Sequence, residues 1–205
     1  EDEMHINPLA AVTTASVVTA AGFTYNNPTN GVATAFSSNG GFIRQSGTLN
    51  AEGELIFSTG ISYVSSWNPT AVLTVRHLTT YTGIQRVGLT NTSLGAIGEP
   101  AAAIYFRSSN GNGSTFRAIG RVGGVETIIV STLVQTSSLG GKTNSFSIAW
   151  SSTGAVMKTN GVTAGTFTSS QVPVGSTDLV PAVGYGGIGT MTFEWDGLQV
   201  IHDRI

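Results

Sequence analysis

The sequence predicts an all-β fold, a sandwich of two antiparallel sheets, on three observations. Apolar residues alternate with small or polar ones, most clearly at Phe146, Ile148 and Trp150, and this period of two places one face of a strand in a core. Turn residues recur about every ten positions, the spacing typical of a sandwich. Only 10% of the residues are charged and 27 are glycine, which disfavours long amphipathic helices.

The chain of 205 residues suits one domain with a distinct beginning. Residues 1–35 carry Ala, Thr and Val in short runs followed by turn residues, and we interpret them as an arm or a peripheral first strand. Residues 36–205 are the predicted sandwich domain. Because the chain begins at Glu1 rather than Met, we expect a processed product or a fragment.

The strand candidates after residue 36 are each bounded by turn residues. They are Gly41 to Ser46, Gly53 to Ser62, Thr70 to Thr79, Gln85 to Thr90, Ala101 to Arg107, Thr115 to Val122, Val125 to Ser131, Ser145 to Trp150, Ala155 to Thr159, Val162 to Thr168, Val180 to Tyr185 and Gly189 to Ile201. Asn160 and Gly161 form a two-residue turn between two of them, because both tolerate a positive φ. In the last strand, Phe193 and Trp195 alternate with polar residues, so we expect them in the core with Trp150.

One question of register stays open in the sequence. Arg117, Ile119 and Arg121 share one face of their strand. The preceding strand, Ala101 to Arg107, is expected to pair with it. A shift of one residue decides whether Tyr105 and Arg107 join the two arginines on that face.

Composition excludes several partners. The formal net charge is -2 and only two lysines occur, so we expect no nucleic-acid partner. The longest weakly polar stretch, Leu9 to Gly22, is too short and too polar for a membrane span, so we expect no membrane insertion. There is no cysteine, which excludes disulfides and thiolate metal sites.

The stretch Ser145 to Thr163, taken together with Asp178 to Gly187 and Met191 to Val200, resembles the second half of a concanavalin A-like or laminin-G-like jelly roll. This resemblance implies a two-sheet jelly-roll sandwich and a superfamily that includes lectins, glycanases and adhesive modules. The charge-poor composition with an Ala/Thr arm is most similar to surface or fibre modules of viruses and phages. That similarity implies a homo-oligomer, with a trimer favoured, at a virion or extracellular surface, with other virion or surface proteins and cell-surface glycans as partners.

Glu194, Asp196 and Gln199 resemble the catalytic strand of family-16-type glucanases, which reads Glu-x-Asp-x-x-Glu in its bulged form. Such enzymes need two carboxylic acids about 5 Å apart. Gln199 stands where the third acid is expected and cannot exchange the catalytic proton. We therefore predict no catalytic residue and no enzymatic activity, with Glu99 or Glu126 as the source of the missing acid if activity is found.

Metal ligands are sparse. His5, His77 and His202 lack the spacing of a metal pair, so we expect no cofactor and no metal. The alternative is a structural calcium ion held by Asp178 and Asp196, since relatives often bind one at a sheet edge.

Sugar binding in this architecture relies on an exposed aromatic side chain together with hydrogen-bond donors. Trp67 lies in a turn-rich segment, where a core tryptophan is less expected than at Trp150. Core packing is still the favoured interpretation of Trp67, and a binding or interface role is the alternative. The carbohydrate or interface candidates are Trp67, Tyr81, Tyr105, Arg107, Arg117, Arg121 and Tyr185.

We predict a non-enzymatic structural or adhesive module of a virion or surface assembly, one that recognises host glycans. The alternatives are a monomeric lectin-like domain and a glycoside hydrolase of the same fold.

Overall fold

The structure is a computed structural model that describes residues 17–20, 23–26, 32–39, 42–49, 53–56, 62–77, 83–91, 100–108, 115–134, 142–187 and 189–203. Side chains are described for residues 62–75, 86–91, 100–108, 116–129, 143–182 and 199–203. Within these ranges the regular structure is β-strand apart from one 3-10 turn, Ser65–Trp67.

Two antiparallel sheets form the sandwich, which confirms the predicted fold class. In chain order the strands are β1 Val17–Ala20, β2 Phe23–Asn26, β3 Val32–Asn39, β4 Phe42–Leu49, β5 Gly53–Ile56, β6 Thr70–His77, β7 Gly83–Thr90, β8 Ala103–Ser108, β9 Thr115–Val122, β10 Val125–Val134, β11 Lys142–Ser151, β12 Gly154–Thr159, β13 Val162–Thr168, β14 Val180–Gly187 and β15 Gly189–Ile201. The eight-stranded sheet has the order β1-β2-β5-β14-β7-β8-β9-β10, and the seven-stranded sheet has the order β13-β12-β11-β6-β15-β4-β3.

The core lies between the sheets and uses the residues that alternate along the strands. Phe146, Ile148 and Trp150 are buried, as predicted. The ring of Phe146 packs between Phe106 and Phe116, with ring centroids 5.1 and 4.9 Å apart. The predicted burial of Phe193 and Trp195 concerns side chains outside the described set. Their backbone lies in β15, where Trp195 stands opposite the buried Val75.

Trp150 joins the end of β11 to the segment before β14. Its indole Nε1 donates a hydrogen bond of 2.6 Å to the carbonyl of Pro173, and only 1% of the residue is exposed. A buried indole N–H needs such a partner, because an unpaired donor in the core costs free energy. The bond therefore fixes both the ring and the segment that accepts from it.

The hairpin between β12 and β13 turns at Asn160 and Gly161, as predicted, with φ of 51° and 80°. The Asn160 side chain links this turn to β11 through two hydrogen bonds. Its Oδ1 accepts from the backbone N–H of Ser145 at 2.8 Å, and its Nδ2 donates to Asn144 Oδ1 at 3.0 Å.

The described part of the first 35 residues lies at sheet edges. Strands β1 and β2 end the eight-stranded sheet, and β2 pairs with β5. Strand β3 ends the seven-stranded sheet and runs across position 35. Residues 1–16 lie outside the described residues, and the division into arm and domain stays a prediction. No helix in the described part of the chain is long and apolar enough to cross a membrane.

Candidate functional site

The register of β8 and β9 answers the question that the sequence left open. Arg107 stands opposite Arg117, and Tyr105 stands opposite Ile119. Residues directly opposite in an antiparallel pair share a face. Tyr105 and Arg107 therefore lie on the same outer face of the eight-stranded sheet as Arg117 and Arg121.

This outer face is closed to solvent around its centre. Tyr105 and Ile119 are fully buried, and Arg86 and Arg121 are 3% and 7% exposed. We call these four residues the closed face. The burial of Tyr105 corrects the expectation of an exposed aromatic side chain, since a ring without accessible surface cannot stack on a glycan in this conformation.

Glu126 is the acceptor at the centre of a polar cluster beside the closed face. Arg107 donates to it through Nη1 at 3.0 Å and Nη2 at 2.8 Å, Tyr105 through its hydroxyl at 3.1 Å, and Arg121 through Nη1 at 3.2 Å. Arg121 also donates to the carbonyls of Pro100 and Gly124. Two of the arginines predicted to bind a glycan thus donate to groups of the chain itself.

The pKa of Glu126 shows how tightly the carboxylate is held. Burial alone raises this pKa, but the hydrogen bond and positive charge of Arg107, with the hydrogen bonds from Tyr105 and Arg121, lower it by more. The net pKa is below the ordinary value, so Glu126 is a carboxylate at neutral pH. A group of this kind is a poor proton donor, which disfavours Glu126 as the source of a missing catalytic acid.

The remaining candidates are dispersed. Arg117 is exposed on the eight-stranded sheet. Tyr185 lies in β14 opposite Gln85 and Gly53, and its side chain is outside the described set. Tyr81 lies outside the described residues. The structure thus brings Tyr105, Arg107 and Arg121 together around Glu126, a residue that sequence reasoning considered only as a catalytic acid.

Trp67 is half-buried and packs against the core. Its ring stacks on His202 with centroids 5.6 Å apart and planes inclined by 29°. The backbone N–H of Asp203 donates to the Trp67 carbonyl at 2.9 Å. Trp67 therefore packs against the core, as the favoured interpretation predicted, and the described end of the chain covers part of the indole.

The outer face of the seven-stranded sheet is open. Along β6 and β11 the buried residues Ala71, Leu73, Phe146 and Ile148 alternate with residues that are not buried. We call this surface the open face and define it by Thr70, Val72, Thr74, Ser145, Ser147, Ala149, Val156, Lys158, Thr166 and Gln199, which the register places on neighbouring strands.

Several polar side chains of the open face have no hydrogen-bond partner within the described part of the chain. Among described residues, the hydroxyls of Thr70, Thr74, Ser147 and Thr166 make no hydrogen bond to the protein, and neither does the Gln199 side-chain amide. The exposed Lys158 stands opposite Ser147. These groups are available to a polar ligand without breaking any bond within this part of the chain.

The motif that resembles a glucanase strand lies in the centre of the same sheet. In β15, Asp196 stands opposite Thr74 and Gln199 opposite Val72, so β15 advances three residues while β6 advances two. The strand therefore contains a β-bulge between Asp196 and Gln199. Gln199 is half-buried, whereas the Glu194 and Asp196 side chains are outside the described set.

No metal cluster is found in the described part of the chain, where no three His, Cys, Asp or Glu residues converge. The Asp178 side chain is exposed, and the Asp196 side chain is outside the described set. His5 lies outside the described residues, and His77 is described only through its backbone in β6. The calcium alternative stays a prediction.

Comparison with known proteins identifies the fold. No protein-family model matches the chain, and no curated protein is similar in sequence. Among solved structures, the laminarinase catalytic domain from Thermotoga petrophila RKU-1 is 9% identical, with a TM-score of 0.62 over 83% of this chain and 81% of that one. The carbohydrate recognition domain of Emp47p is 12% identical, with a TM-score of 0.58 over 96% and 95%. The chain has the concanavalin A-like jelly-roll fold.

A glycoside hydrolase family protein from Mycobacterium thermorestibile matches this concanavalin A-like chain nearly end to end. It is 11% identical, with a TM-score of 0.62 over 98% of each chain. The prediction that the chain is not an enzyme is wrong in light of these neighbours, because glycoside hydrolases recur among the solved structures with this architecture. At sequence identities of 9 to 12%, the structural similarity shows the fold alone.

Proposed function

We propose that this concanavalin A-like domain binds carbohydrate on the open face of the seven-stranded sheet. The observation that carries the proposal is a set of hydroxyl and amide groups without hydrogen-bond partners in the described part of the chain. They belong to Thr70, Thr74, Ser147, Thr166 and Gln199. Sugar hydroxyls both donate and accept hydrogen bonds, and Ser, Thr and Gln side chains do the same. The closed face, in contrast, has its centre buried, and the Arg121 side chain there donates to Glu126 and to two backbone carbonyls.

Known proteins of this fold support the same ligand class. The neighbours include two endo-acting glucanases and a carbohydrate recognition domain. These proteins have different activities although they share one fold. The residues at the site of this chain, rather than its fold, therefore determine whether it binds or cleaves a glycan.

A glycan array followed by isothermal titration tests the binding site. Ser147→Trp places a bulky side chain in the middle of the open face, at a strand position that tolerates aromatic residues. The matched control is Val162→Trp, because Val162 is 64% exposed at the sheet edge and stands opposite the buried Thr159 rather than on the open face. We expect a loss of affinity of at least about tenfold in Ser147→Trp only. Equal binding by the two variants would contradict the proposal.

Glycan cleavage is the second candidate, and the β-bulge in β15 favours it. The family-16-type motif that Glu194, Asp196 and Gln199 resemble has a bulged form, and the register of β15 has an irregularity in the same interval. Glu194 would supply the nucleophilic carboxylate of a retaining mechanism. Gln199 cannot protonate the leaving group, so Glu99, the remaining candidate from the sequence, would have to supply that proton. Release of reducing ends from a mixed-linkage β-glucan, abolished by Glu194→Gln, is the expected result for a hydrolase.

We further propose that the domain serves in a virion or surface assembly as an adhesive module. The support is the low charge of the chain together with the edge strand β1, whose sequence Val17–Ala20 has no charged residue to discourage pairing with a neighbour. A homo-oligomer is then the expected state, since closed symmetry is the common solution for such contacts. Native mass spectrometry measures the number of subunits, and a monomer would count against this assignment.

A further inference from the structure

A depression of about 450 Å³ lies at one end of the open face. It forms where β6 begins and β11 ends, beside the turn that leads into β12. We call it the end depression and define it by its lining residues Asn68, Thr70, Ser151, Thr153, Val156 and Thr166. The volume is in the range of small-ligand sites, roughly 300 to 1,000 Å³. Because Thr70, Val156 and Thr166 belong to both, the depression continues the open face.

The floor of the end depression presents no aromatic face. Trp150 and Phe167 contribute to the floor but are 1% and 2% exposed. The hydrogen bond from Trp150 to Pro173 holds the indole in place. A ligand here is therefore recognised by polar groups at the rim rather than by stacking on a ring.

The rim carries both oriented and free polar groups. Asn68 Nδ2 donates to Asp203 Oδ2 at 3.1 Å, which orients the amide and leaves its Oδ1 without a partner among described residues. The hydroxyls of Ser151 and Thr153 bind each other at 2.9 Å. Those of Thr70 and Thr166 remain available, so the rim offers donors and acceptors to a hydroxyl-rich ligand.

The lack of charged side chains in the lining of the end depression indicates which ligands it can bind. None of the residues that line the end depression is charged. The Asp203 carboxylate is bound to Asn68 at the rim, and Lys158 belongs to the open face but not to the lining. A carboxylate or sulfate placed here would lose hydration without gaining a cationic partner among the lining residues, and Asp203 would repel it. We propose that the end depression is a subsite for an uncharged sugar unit of the bound glycan, an inference that rests on the proposed function.

Isothermal titration of the full chain with tetrasaccharides tests this subsite. The neutral probes are laminaritetraose, cellotetraose and mannotetraose, and the acidic probe is tetragalacturonate. We expect a neutral probe to bind at least tenfold more tightly than the acidic one. Thr166→Trp fills the depression and should weaken that neutral probe at least tenfold, whereas Val162→Trp on the same strand should bind it as the wild type does.

Asn68→Gly is a second variant should Thr166→Trp fail to fold. Asn68 has φ and ψ of 48°, a left-handed conformation that glycine adopts without strain. Removal of the amide should weaken binding about twofold to tenfold, the effect of one hydrogen bond.

The outcomes separate the subsite from the proposed function. Binding that survives Thr166→Trp and Asn68→Gly but is lost in Ser147→Trp would overturn the subsite and leave the open face as the glycan site. Tetragalacturonate binding as tight as that of the neutral probes would overturn the selection against charge. A wild-type chain that binds no tetrasaccharide would overturn both proposals.

Discussion

Arg107 and Glu126 form a two-point ion pair, with Nη1 to Oε2 at 3.0 Å and Nη2 to Oε1 at 2.8 Å. Both side chains are 19% exposed, so solvent screens the pair only partly. Arg121 and Tyr105 bind the same carboxylate. The cluster links β8, β9 and β10 on one side of the sandwich.

Stability should fall in acid because of this cluster. The pKa of Glu126 is lower in the folded chain than its ordinary value of 4.5, so the stabilisation is fully present above about pH 4.5 and is lost as the pH falls through the folded value. We expect Glu126→Gln to lower the free energy of unfolding at pH 7 by about 1 to 3 kcal/mol.

Urea unfolding at pH 7, 5 and 3.5 measures this effect. The difference between wild type and Glu126→Gln should be constant from pH 7 to 5 and shrink at 3.5. Asp178→Asn removes a carboxylate that is exposed and serves as the control. A difference between wild type and Glu126→Gln that does not change with pH would exclude the ion pair as its cause.

Replacement of Trp150 by Ala should cost about 3 to 5 kcal/mol of unfolding free energy, the effect of a large cavity in a packed core. Trp150→Phe keeps most of the apolar volume but leaves the Pro173 carbonyl without its donor. We expect the Phe variant to lose about 1 to 3 kcal/mol. Chemical denaturation gives both values, and a loss below about 1 kcal/mol in Trp150→Ala would mean that the indole does not fill the core.

Gln199→Glu tests the cleavage candidate directly. The change places a carboxylic acid at the third position of the bulged motif, where a retaining glycosidase needs its acid/base group. We expect faster release of reducing ends from mixed-linkage β-glucan than with the wild type, and no release when Glu194→Gln is added. Unchanged rates in Gln199→Glu would show that the bulge does not bring positions 194 and 199 to one reacting bond.

Deletion of residues 1–26 tests the predicted arm. The cut removes β1 and β2, the last two strands at one edge of the eight-stranded sheet, and leaves β3 intact. We expect fewer subunits by native mass spectrometry and one cooperative unfolding transition for the remainder. If the shortened chain instead fails to fold, the first strands belong to the core and the arm interpretation is wrong.

The core could be predicted from the sequence because its signal is local. Phe146, Ile148 and Trp150 repeat at period two within one strand, and burial follows from that alternation alone. Asn160 and Gly161 likewise carry their turn conformation in their own backbone preferences. Neither inference needs to know which strands are neighbours.

The candidate sites depend on pairing across the sheets, which the sequence leaves open. The buried Tyr105 stands opposite Ile119 and donates to Glu126, a residue 21 positions away. The end depression joins Asn68 to Thr166, residues from distant segments that the pairing of the seven-stranded sheet brings together. Alternation identifies the face of a strand on which a residue lies, but the register decides which neighbours it meets.

Strands β14 and β15 are synthesised after the strands that they join within each sheet. Strand β14 lies between β5 and β7, and β15 lies between β4 and β6. Both strands come from the last residues described, so each sheet stays split into two halves until this C-terminal segment has left the ribosome. The nascent halves expose unpaired edges throughout that interval, and pairing over such long separations is slow. Early release of the chain would therefore yield two incomplete sheets rather than a smaller sandwich.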